Sequence, residues 1–509
     1  MIKKRLHLTF TIFLLLFCLF ISDKQIINAQ EIEITSLQTS YYEPNNFDLV
    51  LKNGCLYVED VPDSFSNSKL WFMLYSESKE QEVWDNIFGP NNGSIIIPLS
   101  GLGDGIYRLY LYTNDSGDNL YYGYWWDAGA PKIEKSNNKY RFKLGEYYEE
   151  IREVHNIMAT FDYVLDYYKK PSYWIESDDE AIHKKALEIT KDCSSDYEKI
   201  RQVYEWVINN IYYDYDALNT GNAVVNAVNV LKDRKSVCQG YAVLMAALLR
   251  SLDIPVMVVG GYGGSPINIS DRNHAWNMAY ADGRWIFIDA TWDSHNQYKN
   301  GTFNSNPPNK NRMWFDMSLE MLAYSHYCMD EPLISAILDV LGEDEHDIDL
   351  TYGPVTVELK NIELPTGWRL EYRVTEGEDL CKLSTGKIKF IKTGSSNGVV
   401  LEVNLITDKG SETLKEIYYY LDNYCDLQSQ KLSSRLLKKG DSYTFYIPDL
   451  EYVDDSVKYA ITYKSSDSKV ASVNKKGVVK AKGKGKCTIT GIVTVGSNEY
   501  TFKQTVTVK

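Results

Sequence analysis

The spacing of hydrophobic residues changes twice along this 509-residue chain, which is too long for a single hydrophobic core. Residues 31–145 carry short apolar runs separated by Asn, Gly, Ser and Asp, a pattern typical of β-strands joined by turns. We predict strands at 47–51, 70–75 and 106–112, with a small antiparallel sandwich as the simplest arrangement. After residue 146 the spacing becomes helical, and later it returns to the β pattern. The order predicts several domains of the type β–(α+β)–β–β.

The sequence indicates where one helix of the central region begins. Ser195 is followed three residues later by Glu198, the signature of a capping box. Apolar residues then recur at helical spacing, at Ile200, Val203, Tyr204, Val207, Ile208 and Ile211. This pattern predicts an amphipathic helix. Two further helical stretches are expected before it, at roughly 145–169 and 177–192.

The composition shifts divide the chain into five predicted segments. They are a signal peptide at 1–30, a β-sandwich-like domain at 31–145, an α+β domain at 146–340, a β-rich immunoglobulin-like domain at 345–427 and a second such domain at 428–509. The polar stretch from Gln428 to Ser434 marks the last boundary.

The N-terminus predicts export. A basic segment ending at Arg5 precedes an apolar run of 16 residues from Leu6 to Ile21, which is short for a membrane span. We expect cleavage between Ser22 and Gln30; an uncleaved anchor is the alternative. The predicted location is therefore secreted or extracellular, with cell-wall association open. A net charge of −15 argues against a nucleic-acid partner.

Seven cysteines remain once Cys18 is removed with the signal peptide, and none lies at a metal-ligand spacing from another. We therefore predict no metal and no cofactor. A metal site that includes Cys238 is an alternative without a close ligand pair to support it. An odd number of cysteines in an exported protein leaves at least one free thiol or an intermolecular bond.

Cys238 is the strongest candidate for a reactive thiol. The residues from Gly240 onward favour a helix, so Cys238 is expected at or just before a helix N-terminus. Amide groups and the helix dipole stabilise a thiolate there and can also bind an oxyanion. The alternative for an isolated cysteine is a small buried apolar residue.

The sequence predicts a hairpin that brings a histidine close to an aspartate. Residues 273–280 alternate as a strand, Asp282-Gly283 is a two-residue turn signal, and 285–290 is the expected return strand. In this register opposed residues sum to 565, so His274 faces Thr291 and Asp289 is its diagonal neighbour on the same face. The carboxylate of Asp289 would then orient the imidazole. A surface hairpin whose polar side chains meet only water is the alternative.

These three blocks resemble the transglutaminase-like superfamily. Cys238 lies in Val-Cys-Gln-Gly-Tyr-Ala, His274 in Asn-His-Ala-Trp-Asn and Asp289 in Asp-Ala-Thr-Trp-Asp, in the family's usual order. The resemblance covers about a quarter of the chain. It implies a papain-like α+β core, flanked here by β-sandwich domains, and acyl transfer through a thioester with Cys238, His274 and Asp289 as the catalytic residues. Gln239 follows the nucleophile and is not assigned as an oxyanion donor.

The C-terminal segment resembles a bacterial immunoglobulin-like domain of group 2. The resemblance rests on Ser465-Ser-Asp-Ser-Lys-Val-Ala-Ser-Val473 and on Gly477-Val-Val-Lys-Ala481. It implies a spacer or adhesion module without a catalytic role. Lysines in this segment could contact an anionic cell wall, although a solvated strand face is the favoured explanation.

The sequence thus predicts a secreted bacterial cysteine peptidase or amidase that acts on protein, peptide or cell-wall peptide substrates. A transglutaminase that joins glutamine to amines is the first alternative, because it uses the same triad. A surface binding protein with a silent triad is the second. His295 and His326 are weaker site candidates, and we expect both to be surface or helix-packing residues.

Overall fold

The computed structural model describes residues 33–89, 94–114, 123–124, 130–149, 151–152, 161–264, 273–308, 312–329, 332–393, 398–407, 410–425 and 427–509. The predicted signal peptide lies outside the described residues. Within them, no helix is both long and apolar enough to cross a membrane.

The chain contacts divide into two compact units. The first unit comprises Met1–Ile151, Gly260–Trp276 and Ile286–Cys328, and the second comprises Arg152–Val259, Asn277–Trp285 and Met329–Lys509. Residues of the predicted α+β domain are distributed over both units, so its boundaries stay predictions.

The N-terminal part of the first unit is built from antiparallel strands. They are β1 (Ser36–Gln38), β2 (Asp48–Lys52), β3 (Cys55–Glu59), β4 (Lys69–Ser76), β5 (Gln81–Phe88), β6 (Ile95–Pro98), β7 (Gly105–Asn114), β8 (Gly123–Tyr124), β9 (Lys132–Ser136) and β10 (Lys139–Lys143).

These strands form two sheets, one in the order β1-β2-β3-β6 and one in the order β10-β9-β7-β4-β5 with β8 paired to β7. The three strands that the sequence predicted are confirmed as β2, β4 and β7. Tyr107, Leu109 and Leu111 of β7 are buried, and so are Arg108 and Tyr112 of the same strand.

The second unit begins with helices. Those before residue 251 are α1 (Asp162–Tyr167), α2 (Glu180–Thr190), α3 (Asp196–Asn210), α4 (Tyr215–Thr220), α5 (Ala227–Asp233) and α6 (Cys238–Arg250), and the parallel pair β11 (Tyr212–Asp214) and β12 (Lys235–Ser236) lies among them. The capping box of α3 is confirmed, because Ser195 accepts from the Glu198 amide while the Glu198 side chain binds the Ser195 amide. Part of the helical stretch predicted at 145–169 lies outside the described residues.

The middle of the chain alternates strands with short helices. The elements are β13 (Val256–Gly263), β14 (Asn273–Ala281), β15 (Arg284–Ile288), α7 (Ala290–Asp293), β16 (Gln297–Lys299), β17 (Thr302–Asn304), α8 (Leu319–Leu322), β18 (His326–Cys328) and α9 (Pro332–Leu341). In the first unit, β13 pairs with β18 so that Gly263 lies opposite His326.

The C-terminal part of the second unit is again β-structure. Its strands are β19 (Glu345–Asp349), β20 (Val355–Glu358), β21 (Arg369–Glu376), β22 (Cys381–Ser384), β23 (Lys387–Phe390), β24 (Gly398–Thr407), β25 (Gly410–Asp422), β26 (Gln430–Leu437), β27 (Ser442–Thr444), β28 (Ala460–Ser465), β29 (Ala471–Val473), β30 (Val478–Ala481), β31 (Gly485–Val495) and β32 (Asn498–Val508).

Four sheets result, in the orders β19-β25-β24-β21, β20-β23-β22, β26-β32-β31-β28 and β27-β30-β29. The last two enclose a core that includes Phe445, Ile447, Val479, Ile489 and Phe502.

Candidate active site

Cys238 is the first residue of α6 in the second unit, so the predicted position at a helix N-terminus is confirmed. The helix is buried from Gly240 to Arg250, whereas Cys238 is partly exposed and is a free thiol. Gly240 is required by close packing, because a Cβ there would lie 1.9 Å from Oγ of Ser236. The first amides of a helix have no carbonyl acceptor within the helix, and this helix end stabilises negative charge. The sulfur of Cys238 therefore lies at a position that stabilises a thiolate.

The predicted hairpin turn is confirmed. β14 and β15 are joined by Asp282 and Gly283, which have φ values of 53° and 79°. Two successive left-handed residues are the geometry that an Asp-Gly turn adopts in a two-residue hairpin. His274 lies on the first of these strands and Asp289 directly follows the second.

The prediction that Asp289 and Ala290 belong to the return strand is wrong. β15 ends at Ile288, and Asp289 caps the short helix α7, because Oδ1 of Asp289 accepts the amides of Thr291 and Trp292 at 2.9 and 3.1 Å. Thr291 therefore lies in a helix and is not the strand partner of His274. The cap holds the carboxylate in one orientation.

The predicted contact between His274 and Asp289 is nevertheless present. Nε2 of His274 lies 2.6 Å from Oδ2 of Asp289, and the two side chains are 7% and 0% exposed. A buried carboxylate at this distance fixes the orientation of the ring and stabilises the imidazolium. Since Nε2 is committed to Asp289, the nitrogen that can exchange a proton with a nucleophile is Nδ1.

The expectation for His326 is wrong. His326 lies in β18, is fully buried, and places Nε2 3.4 Å from the same Oδ2 atom of Asp289. It is 37 residues from Asp289, with no fixed spacing that the sequence could reveal. His295 is exposed, as expected. The structure therefore adds a second histidine at the carboxylate.

Aromatic rings surround the two histidines. Trp292 stacks on His274 at 5.1 Å between ring centroids. His326 is packed by four rings within 5.3 Å, those of Trp276, Phe287, Trp292 and Trp314. This shell excludes water and thereby strengthens the electrostatic interactions inside it.

Burial and charge set the protonation of the cluster. Burial by itself would raise the pKa of Asp289, but His274 and His326 together hold the pKa well below its usual range, so the carboxylate is ionised at neutral pH. Burial lowers the pKa of His326 to about 4, against the smaller opposing effect of Asp289. His326 is therefore a neutral imidazole at neutral pH.

The same three side chains are the group that a metal ion would use within the described part of the chain. Ligand atoms of His274, Asp289 and His326 lie within 4.8 Å of one another. An ion would have to replace the proton between His274 and Asp289 and would remove the base. The 2.6 Å separation is that of a short hydrogen bond to a charged acceptor, so we assign the group to proton transfer.

Comparison with known sequences finds two family models that match parts of the chain. Residues 183–290 match the transglutaminase-like superfamily, and residues 437–507 match the bacterial Ig-like domain of group 2. Kyphoscoliosis peptidase of Mus musculus is 29% identical over 121 residues, which is 22% of this chain and 18% of the relative. The Homo sapiens protein of that name is 29% identical over 115 residues, 21% of this chain and 17% of the relative. The match thus spans less than a fifth of either relative.

Among solved structures, a candidate cysteine protease from Cytophaga hutchinsonii is 19% identical, with 44% of this chain and 72% of that chain covered. Its TM-score of 0.22 carries no conclusion about the fold. The segment 183–290 that matches the transglutaminase-like superfamily contains Cys238, His274 and Asp289, and the C-terminal segment 437–507 matches the bacterial Ig-like domain of group 2.

Proposed function

We propose that this protein is a cysteine acyl-transfer enzyme with a papain-like core, which cleaves amide bonds of peptide or protein substrates through a thioester on Cys238. The observation that carries the proposal is the buried hydrogen bond of 2.6 Å between His274 and Asp289. Cys238 supports it as a free thiol at the start of α6, within the same transglutaminase-like segment.

In the proposed cycle, His274 accepts and returns a proton once in acylation and once in hydrolysis. The thiol of Cys238 transfers its proton to Nδ1 of His274, and the sulfur attacks the substrate carbonyl carbon. The amides at the start of α6 stabilise the oxyanion. His274 returns the proton to the leaving amine as the C–N bond breaks, which leaves a thioester. Water then attacks the thioester, gives its proton to His274, and a carboxylic acid leaves as the thiol is restored.

This cycle requires Sγ of Cys238 and Nδ1 of His274 to come within hydrogen-bond distance during the reaction. The requirement is directly testable. A haloacetamide should alkylate Cys238 faster than it alkylates the same thiol in a His274→Ala variant, because the imidazole promotes the thiolate. Equal rates in the two proteins would contradict the proposed base.

Hydrolysis is favoured over transfer to an amine, because water is always present and its exclusion needs a dedicated dry channel. We further propose that the protein is exported and that its substrates are extracellular peptides or proteins, with cell-wall peptides included. The basis for this is the apolar N-terminal segment together with the immunoglobulin-like module.

The experiment uses the mature protein under reducing conditions with a glutamine-containing peptide, with and without a primary amine. Mass spectrometry of the products separates the reactions: cleavage or deamidation indicates hydrolysis, and amine incorporation indicates a transglutaminase. Cys238→Ala is the control and should abolish either product. If no product depends on Cys238 across a broad peptide set, the binding-protein alternative replaces the enzyme.

A further inference from the structure

We propose that His326 is a positioning residue, which donates a hydrogen bond to Oδ2 of Asp289 and so holds that oxygen in place for His274. This inference deepens the proposed function and rests on it. It assigns a role to a residue that lies outside the matched segment 183–290.

Both oxygens of the Asp289 carboxylate accept hydrogen bonds. Oδ1 accepts two backbone amides of α7, those of Thr291 and Trp292. Oδ2 faces the two imidazole nitrogens, at 2.6 Å for His274 and 3.4 Å for His326. Donors therefore meet the carboxylate from both sides. Rotation of the carboxylate would break at least one bond on each oxygen.

The hydrogen-bond partners of His326 determine its tautomer. A neutral imidazole carries one N–H, and the ionised carboxylate at Nε2 requires that this nitrogen be the donor. Nδ1 is then an acceptor, and the hydroxyl of Ser325 lies 2.9 Å from it. Ser325 can donate to that nitrogen. The backbone carbonyl of Ser325 is held by the amide of Gly264 at 3.0 Å.

The surroundings leave His326 little freedom to move. Its strand β18 is paired to β13, and four aromatic rings pack against the imidazole. The charged or titratable groups that act on it are Asp289 and His274, and the packed rings do not titrate. A buried, fixed and neutral donor is suited to hold an anion without adding a competing positive charge.

Two substitutions separate positioning from packing in the full-length protein. His326→Phe keeps a flat ring of similar size but has no donor, whereas His326→Gln keeps an N–H at a similar reach and has no ring. We expect His326→Phe to lower kcat about 10-fold or more with KM unchanged, because a hydrogen bond to a charged group is lost. His326→Gln should recover most of this loss. A residue that only packs would show the opposite order, with Phe tolerated and Gln damaging, and that order would overturn the inference.

A second readout does not depend on activity. In a Cys238→Ala background, the proton between His274 and Asp289 should give a low-field NMR resonance that exchanges slowly with water. His326→Phe should move this resonance upfield and speed its exchange, and His326→Gln should retain it. An unchanged resonance in the Phe variant would overturn the inference, whether or not the enzyme proposal holds.

If the Phe variant does not fold, the nitrogen shifts of His326 in the Cys238→Ala protein decide. An Nε2–H tautomer at neutral pH supports the inference, and an Nδ1–H tautomer or a charged ring overturns it. If the parent protein shows no turnover that depends on Cys238, the proposed function is contradicted instead, so the two failures are distinguishable.

Discussion

Gly263 lies against the imidazole of His274 so closely that a Cβ added at Gly263 would be 2.7 Å from Cδ2 of the ring. The same added atom would lie 3.1 Å from Cζ2 of Trp292, the ring that stacks on His274. The position of the base therefore depends on a residue without a side chain, 11 positions away in the sequence (274 − 263).

Gly263→Ala should consequently impair catalysis by displacing the ring. A displacement on the order of 1 Å costs about 100-fold in rate, so we expect a loss of kcat of that size in a peptide cleavage assay. Gly101→Ala is the matched control, because a Cβ at Gly101 meets no atom within 4 Å. If the Gly263 variant keeps full activity, His274 is not held by this contact.

Asp289→Asn should be severely impaired. An amide nitrogen donates and cannot accept, while donors approach the carboxylate at both oxygens. The nitrogen of the substituted side chain would face a donor on whichever side it pointed, and His274 would lose its anionic partner. We expect kcat to fall by roughly 10³–10⁴-fold, as for a triad that loses its aspartate charge.

The control for that variant is Asp282→Asn, the same chemical change in the exposed hairpin turn. Asn tolerates the left-handed conformation that Asp282 adopts, so activity and thermal stability should be close to the parent. Comparable losses in both variants would indicate a general effect of the substitution and would contradict the assigned role of Asp289.

His326 should make the stability of the folded protein dependent on pH. In the unfolded chain its pKa is near the ordinary 6.5, and in the folded protein it is about 4. Between these values the unfolded state binds a proton that the folded state does not, so stability falls as the pH drops from 6.5 towards 4. The group's contribution to the slope is about 1.4 kcal/mol per pH unit.

Urea unfolding at several pH values in this window measures the slope. The parent slope should exceed that of His326→Phe by the amount that uptake of about one proton on unfolding produces. Identical slopes in the parent and the Phe variant would show that His326 is protonated alike in both states.

A chelator should leave activity unchanged. His274 and His326 are hydrogen-bonded to Asp289, and the proposed cycle uses no metal. Turnover after dialysis against EDTA should equal turnover before it. A loss that Zn²⁺ restores would instead assign these three side chains to a metal site.

Local features of the fold were predictable because neighbouring residues determine them. Ser195 and Glu198 start a helix by bonding within one turn, and Asp282-Gly283 adopts a turn that few other pairs accept. The helix cap by Asp289 is also local. The continuous apolar run of the preceding strand, from Trp285 to Ile288, obscured it, and the predicted strand ran two residues too far.

His326 was not predictable in this way. Its link to Asp289 crosses 37 residues, and a lone histidine on an apolar strand carries no spacing signal. The low pKa of His326 likewise depends on rings from three separate segments, which contain Trp276, Trp292 and Trp314. Burial is a property of the packed unit, so no window of sequence contains it.

The sequence by itself indicated the succession of β-rich and helical regions, a helix start at or next to Cys238 and the proximity of His274 to Asp289, because hydrophobic period and turn chemistry act over a few residues. Only the tertiary structure decided what surrounds that pair. It placed Nε2 of His326 3.4 Å from Oδ2 of Asp289 and packed aromatic rings against both histidines. The reason is physical: protonation depends on which distant groups exclude water and share a proton, and folding alone brings those groups together.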